Sequence, residues 1–144
     1  MENKELRNAW EFAEHTGISI FLTGKAGTGK TTFLKTLKEH SSKRMIVVAP
    51  TGVAAINAGG VTIHSFFQLP LSPYVPGTTF KDRYDFGKDK RRIIRTLDML
   101  VIDEISMVRS DLLDAIDNVL RRYRDPTLPF GGVQLLMIGD LHQL

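Results

Sequence analysis

The sequence predicts an α/β domain in which helices cover both faces of a parallel β-sheet, and three observations support this class. Four short apolar runs have the character of strands buried on both faces, at 18–23, 45–49, 98–103 and 133–139. Segments with helically spaced apolar residues alternate with these runs, as in a doubly wound sheet. A glycine-rich loop separates the first run from the next helical segment, which gives a strand-loop-helix arrangement.

The helices are predicted from apolar residues at helical spacing. Residues 2–16 form an amphipathic segment that stops before Gly17, a residue type that commonly ends helices. The last helix is expected to have Ser110 as its N-cap. The apolar positions are Leu6, Ala9, Trp10 and Ala13; Phe33, Leu34 and Leu37; Ile93, Ile94 and Leu97; and Leu112, Leu113, Ile116, Val119 and Leu120. Three prolines in 70–80 predict an irregular surface segment.

Composition excludes several classes of protein. The 144 residues are 42% hydrophobic and 24% charged, as in ordinary globular domains. No apolar run approaches the ~20 residues that span a bilayer, and the first residues lack the apolar centre of a signal peptide. The absence of cysteine rules out disulfides and cysteine-ligated metals, and it fits a cytoplasmic location. The net charge of +3 permits a polyanionic partner without requiring one.

The loop GKAGTGKTT, residues 24–32, carries the pattern G-x-x-x-x-G-K-[ST]. Glycines let backbone N–H groups turn towards phosphate oxygens, and the dipole of the following helix adds to the attraction. Lys30 is expected to reach the β and γ phosphates, and the Thr31 hydroxyl to bind Mg²⁺. The candidate nucleotide-binding residues are Gly24, Ala26, Gly27, Thr28, Gly29, Lys30, Thr31 and Thr32. The pattern in this setting predicts a P-loop NTPase.

Two acids follow the apolar run MLVI. Asp103 is expected to hold Mg²⁺, directly or through water, and Glu104 to polarise the attacking water. The alternative is a solvated strand end, which is common after apolar runs. In combination with the phosphate loop, the second acid favours nucleotide hydrolysis over simple binding.

The segment GDLHQL, residues 139–144, ends the last apolar run. Gln143 is placed to hydrogen-bond a γ phosphate from the side and to report whether that phosphate is present. An ordinary polar strand end is the alternative, and the segment by itself does not separate the two interpretations.

Four segments, taken in order, resemble the first motor domain of the PIF helicases, in the 5′-to-3′ branch of helicase superfamily one. They are GKAGTGKTT, APTGVAAINAGGVTIHSFF, VIDEISMV and GDLHQL. The similarity extends from about Thr23 to the last residue. Its most specific parts are APTGVAA and TIHSF, because many NTPases share phosphate loops and acid pairs. RecD-type helicases have similar loops but match the TIHSF block less well.

This resemblance implies a RecA-like ATP-binding motor domain over residues 1–144, with ATP and Mg²⁺ as cofactors and Lys30, Glu104 and Gln143 as catalytic residues. The implied partners are single-stranded DNA and forked duplex DNA, without a membrane or a required oligomer. It also implies that the strand leading to Gln143 lies between those leading to the phosphate loop and to Asp103.

The resemblance further implies two groups of contacts with the backbone of single-stranded DNA: Pro50, Thr51 and Gly52, and His64, Ser65 and Phe66. A Thr-Gly turn offers a hydroxyl and N–H groups to phosphates, and His and Phe offer a donor and a stacking face. The alternative is that Phe66 and Phe67 pack a short helix on the core while His64 caps it. The basic run KDKRRIIR, residues 88–95, is either a phosphate-binding face or a solvated helix face.

The sequence departs from the family pattern in two respects. Residues 5–8, ELRN, stand where such helicases usually carry an adenine-reading glutamine, so modest selectivity for ATP over GTP is expected. The chain ends at Leu144, just after the third helicase motif, so it is expected to lack a second motor domain with an arginine finger and to hydrolyse ATP slowly by itself.

The expected parent activity is ATP-driven 5′-to-3′ translocation on single-stranded DNA with unwinding of duplex. Two alternatives stay open at this point: a non-catalytic nucleotide- or DNA-binding module, and a P-loop enzyme unrelated to DNA, such as a small-molecule kinase.

Overall fold

A five-stranded parallel sheet forms the centre of the fold. The computed structural model describes residues 4–24, 29–69 and 86–140. The strands are β1 (Ile20–Gly24), β2 (Met45–Ala49), β3 (Val61–Thr62), β4 (Met99–Ile102) and β5 (Gln134–Asp140). Their order is β1-β5-β4-β2-β3, and every neighbouring pair is parallel. The predicted position of β5, between the strand before the phosphate loop and the strand before Asp103, is confirmed.

The described part of the chain contains six α-helices, of which the first precedes β1 and the other five lie between strands. They are α1 (Lys4–His15), α2 (Lys30–His40), α3 (Gly52–Ala58), α4 (Ile63–Phe67), α5 (Lys88–Thr96) and α6 (Ser110–Tyr123). Short 3₁₀ turns occupy Ile105–Met107 and Pro129–Gly132. None of these helices combines the length and the apolar character that crossing a bilayer requires. The irregular segment predicted for 70–80 lies outside the described residues.

The sheet separates two apolar layers, as the sequence predicted. One layer packs α1 and α2 on the sheet, with Phe33 and Leu37 fully buried. The other packs α4, α5 and α6 on the opposite face, around Ile94 and Ile116. All four residues of β4 are buried. A strand that is buried on both faces has an uninterrupted apolar sequence, as β4 does.

The segment after β2 contains α3 and β3, which the sequence analysis did not predict, and α4, the short helix that it gave as an alternative. The side chain of Thr51 accepts a hydrogen bond from the Ala54 N–H and caps α3. Thr62 accepts one from the Ser65 N–H and caps α4, so the alternative in which His64 caps this helix is wrong.

Two glycines connect α3 to β3. Gly59 has a φ of 70° in the left-handed region, where glycine has no steric penalty, and ends α3. A Cβ on Gly60 would collide with the Val47 carbonyl. This close approach lets the short β3 pair with the end of β2.

The start of α6 differs by one residue from the prediction. Ser110 is the first helical residue, and Arg109 occupies the cap position without a side-chain cap hydrogen bond. Arg109 has the extended backbone that a cap position requires, whereas Ser110 has already entered the helix.

Arg124, after α6, ties three elements together. Its Nη1 donates to the carbonyl oxygens of Ile94, Arg95 and Leu97 at 2.9 Å each, which satisfies the end of α5. Its Nε donates to the Gly131 carbonyl oxygen at 3.1 Å. A single guanidinium therefore holds the C-terminus of α5 and the turn before β5.

We expect Arg124→Ala to reduce the free energy of unfolding by about 2–4 kcal/mol, because it leaves several partly buried carbonyls without a donor. Urea denaturation followed by circular dichroism measures the change. Arg92→Ala, at an exposed position of α5, is the control and should change stability by less than about 0.5 kcal/mol. Equal stability of the Arg124 variant and the parent would contradict this role.

Candidate active site

The carboxyl ends of β1, β5, β4 and β2 meet at one edge of the sheet, because all strands are parallel. The phosphate loop follows β1, Asp103 and Glu104 follow β4, and Pro50 and Thr51 follow β2. Open α/β sheets bind ligands at this edge. The topology thus places the predicted phosphate, metal and DNA residues side by side.

Lys30 is the first residue of α2, and its Nζ donates to the Gly139 carbonyl oxygen of β5 at 3.0 Å. The ammonium therefore lies across the end of the strand that separates the loop from the acid pair. Gly29, before it, has a φ of 93°, and no side chain caps the helix there. A glycine at the cap position has no side chain with which to cap α2, as at helix ends that bind anions.

Asp103 lies close to this ammonium. Burial raises the pKa of the Asp103 carboxyl above its usual value, while the Glu104 N–H hydrogen bond at 2.9 Å and the Lys30 charge act in the opposite direction. The Asp103 N–H donates to the Val48 carbonyl oxygen at 2.9 Å, which fixes the acid to the end of β2. A partly buried acid beside a cation is typical of functional sites.

Glu104 has a left-handed backbone with a φ of 54°. This conformation is unfavourable for a residue with a Cβ and turns the chain sharply after Asp103. The backbone therefore changes direction between the two adjacent acids. Both line the same cleft.

This cleft has a volume of about 610 Å³ and runs from the strand ends into the space between α2 and α3. Lys38 closes its far end, since its Nζ donates to the Gly59 carbonyl oxygen at 2.6 Å. The cleft is lined by Lys30, Thr31, Leu34, Lys35, Lys38, Glu39, Ile56, Asn57, Ala58, Gly59, Asp103, Glu104, Ile138 and Gly139. It brings Lys30, Thr31, Asp103 and Glu104 together, and these are four of the predicted site residues.

The oxygens of Thr31 and Asp103 fit Mg²⁺, which prefers hard oxygen ligands. Thr31 lies in the exposed first turn of α2, and both residues border the cleft. The described part of the chain has no group of three or more His, Cys, Asp or Glu that could hold a metal. A site of one carboxylate, one hydroxyl and substrate phosphates is the kind that Mg²⁺ usually takes.

Four of the predicted site residues lie outside the described part of the chain. They are Ala26, Gly27, Thr28 and Gln143. Gly24 is the last residue of β1, and Thr32 is exposed in the first turn of α2.

The first group of predicted DNA contacts stands at the end of β2 and the start of α3. Pro50 and Thr51 are partly exposed, and Gly52 is exposed. The Thr51 oxygen accepts the cap hydrogen bond from α3, and its O–H keeps a hydrogen to donate. A contact between this turn and DNA stays a prediction.

The second group divides between surface and core. Ser65 is exposed and His64 is partly exposed, whereas Phe66 is only 6% exposed and packs edge-on against Phe67 at 4.9 Å between ring centroids. Lys90 covers the Phe66 ring, with its Nζ 4.2 Å from the centroid. The structure thus favours the packing alternative for Phe66 over base stacking, because its ring is enclosed on both sides.

Two residues that the sequence analysis did not single out shape this region. Gly139 supplies the oxygen that Lys30 binds, and a Cβ there would stand 2.9 Å from Ile105. Lys90 donates to the Phe66 carbonyl oxygen at 2.7 Å. Lys90 stands four residues before the buried Ile94, so helical spacing places the two side chains on the same side of α5.

Comparison with known families adds to this geometry. A family model described as PIF1-like helicase matches residues 3–144. The chain belongs to the PIF1-like helicase family. This membership confirms the resemblance seen in the sequence motifs.

Curated and structural relatives agree with the PIF1-like assignment. The chain is 41% identical over 147 aligned residues to the ATP-dependent DNA helicase PIF1 of Saccharomyces cerevisiae, covering 99% of the chain and 17% of the yeast protein. It is 41% identical to human PIF1, covering 89% of the chain and 20% of the human protein. The chain thus spans about a fifth or less of these two relatives.

Solved structures of PIF1-like helicases have the same fold. The chain matches Bacteroides sp. Pif1 in complex with ADP-AlF4 with a TM-score of 0.91 and 48% identity, over 100% of this chain and 33% of that one. It matches Bacteroides Pif1 bound to single-stranded DNA with a TM-score of 0.88 and 48% identity, over 98% and 32% of the two chains.

Proposed function

We propose that this chain is the ATP-binding motor domain of an ATP-dependent DNA helicase that moves 5′ to 3′ on single-stranded DNA and unwinds duplex. The observation that carries the proposal is the convergence of Lys30, Asp103 and Glu104 in one cleft at the carboxyl edge of the sheet. The helicase names of its relatives and the DNA-bound and ADP-AlF4-bound Pif1 structures support it.

The residues of the cleft have separate roles in binding the phosphates and the metal ion of Mg-ATP. Lys30 exchanges its contact with the Gly139 carbonyl for the β and γ phosphates, and the N–H groups that begin α2 bind the same anion. Thr31 and Asp103 are the residues that would hold Mg²⁺. The ion would supply charge neutralisation for the phosphate oxygens.

Glu104 orients and polarises the attacking water. We assign Asp103 to the metal and Glu104 to the proton of the attacking water, and the left-handed backbone of Glu104 turns the chain between the two. The in-line attack of water on a γ phosphate depends mainly on positioning and charge stabilisation, which fixed side chains at a strand end provide.

The sheet connects the nucleotide site to the DNA site. Asp103 is hydrogen-bonded to Val48, two residues before Pro50, and β2 and β4 are adjacent strands. The Thr51 and Gly52 turn and the His64 and Ser65 surface lie at the same end of the sheet. DNA held there shares a short, rigid connection with the hydrolysis site.

Steady-state phosphate release by the full-length protein, with and without single-stranded oligonucleotide, tests the proposal. We expect ATP hydrolysis that requires Mg²⁺ and rises with single-stranded DNA, and strand separation of a fork with a 5′ tail. DNA-insensitive turnover would support a P-loop enzyme unrelated to DNA, and nucleotide binding without turnover would support a binding module.

His64 and Phe66 should respond differently to replacement by alanine. We expect His64→Ala to weaken binding of single-stranded DNA about tenfold with the fold unchanged, because a partly exposed donor beside the strand is lost. Phe66→Ala should destabilise the domain by about 3–5 kcal/mol, since its ring is buried. Fluorescence anisotropy and urea denaturation measure the two effects.

His40→Ala, at the exposed end of α2, is the matched control for His64 and should bind DNA as the parent does. Parent-like DNA binding by the His64 variant would remove this residue from the proposed DNA contact.

A further inference from the structure

We propose that the basic face of α5, formed by Lys88, Arg91, Arg92 and Arg95, binds the sugar-phosphate backbone of duplex DNA. The inference rests on the proposed helicase function and deepens it, because it names residues that hold the duplex beside the single strand.

The four cations form one stripe. Their spacing is that of successive turns on one side of a helix, and at ~1.5 Å per residue the stripe is roughly 10 Å long. Lys90 and Ile94 follow a different spacing and face the core, where Ile94 has no exposed surface. The helix therefore separates its anchoring residues from a charged outer face.

The charge of this face is not balanced by the described residues. None of the four side chains forms an ion pair within the described ranges 4–24, 29–69 and 86–140. The sequence of α5 contains five cationic residues and a single acid, Asp89. Like charges three or four residues apart repel one another along a helix, and a polyanion would relieve that repulsion.

Lys90 fixes this face beside the candidate single-strand contact. Its Nζ donates to the Phe66 carbonyl oxygen at 2.7 Å and lies over the Phe66 ring. Phe66 belongs to α4, the helix that carries His64 and Ser65. The basic face and the predicted single-strand contact are therefore held on two helices in direct contact.

The chemistry of the face favours duplex over single-stranded DNA. Surfaces that hold single strands combine positive charge with aromatic rings on which bases stack. Among the residues of α5 there is no aromatic side chain. Duplex DNA presents about one phosphate charge per 1.7 Å of its axis, so a convex row of cations can contact several phosphates without reading bases.

The test compares the full-length parent with one double variant, in which both Arg92 and Arg95 are replaced by glutamine. Anisotropy titrations with a single strand, a blunt duplex and a fork are run over a series of salt concentrations. We expect duplex and fork affinity to fall about tenfold at low salt and the slope of log K against log salt to become shallower by about 1–2. Single-strand affinity and single-strand-stimulated ATP hydrolysis should be unchanged.

Two further variants separate a specific contact from a general loss of charge. Arg92→Lys with Arg95→Lys keeps the charge and should keep duplex affinity. Lys4→Gln with Arg7→Gln removes two exposed cations on α1, which packs on the opposite face of the sheet from α5, and should bind duplex as the parent does. An unchanged duplex affinity and salt slope in the α5 glutamine variant, or an equal loss in this control, would overturn the inference. A parent that binds no DNA at all would overturn the proposed function instead, and the inference with it.

Discussion

Replacing Lys30 by alanine is expected to weaken Mg-ATP binding by about 100-fold or more. The ammonium is the positive charge at the start of α2 that faces the acid pair across the end of β5, and its Nζ already binds an oxygen there. Charge-assisted contacts with phosphate are among the strongest hydrogen bonds in proteins. Isothermal titration calorimetry measures the loss.

Lys35→Ala is the matched control for this experiment. Lys35 lies on the same helix and lines the same cleft, but further from the acid pair. Its removal tests whether any cation in the cleft suffices, and we expect a change below about threefold. If folded Lys30→Ala bound Mg-ATP as tightly as the parent, the phosphate site would have to lie elsewhere.

Replacing Glu104 by glutamine is expected to lower the rate of DNA-stimulated ATP hydrolysis by about 10²–10⁴-fold while nucleotide affinity is kept. Glutamine has nearly the same shape but cannot accept a proton from the attacking water. Single-turnover and steady-state phosphate release measure the rate, and calorimetry measures the affinity. Because the change affects a step after binding, it should appear in kcat and not in KM.

Glu39→Gln is the control, since Glu39 is exposed and lines the same cleft at the end of α2. This variant should hydrolyse ATP at the parent rate. Full activity of Glu104→Gln would assign the general base to another residue and leave Glu104 with a structural role.

The strands and long helices were predictable because their signals extend over many residues. The apolar runs before the loop, Asp103 and Gln143 each correspond to a strand, and 45–49 matches β2 residue for residue. Helices such as α6 show several turns of apolar spacing. Local propensity and tertiary burial agree in these elements, so pattern alone suffices.

Of the short elements, α3 and β3 were missed and α4 was foreseen only as an alternative, for a physical reason. The helices α3 and α4 contain 7 and 5 residues, and β3 contains 2, so none is long enough to show a period. The sequence signal for the two short helices was in their N-cap residues instead. Thr51 and Thr62 each accept from the N–H three residues later, and a Thr followed by such a turn is a helix-start signal.

The site was predictable in its residue types but not in its exposure. The motif spacing identified Lys30, Asp103 and Glu104, and the fold brings them into one cleft. The difference in exposure between the buried Phe66 and the partly exposed His64 could not be predicted. The burial of Phe66 on this one-turn helix depends on Lys90 and Phe67, which contact its ring only in the folded chain.

The left-handed backbone of Glu104 lowers the stability of the fold at a position whose carboxylate is needed for ATP hydrolysis. A residue with a Cβ in this region costs about 1–2 kcal/mol, and glycine or asparagine would relieve much of that cost. Selection for abundance would therefore favour a smaller residue at 104, whereas selection for turnover would favour the acid. The domain keeps a local conformational cost at the position where its carboxylate is used.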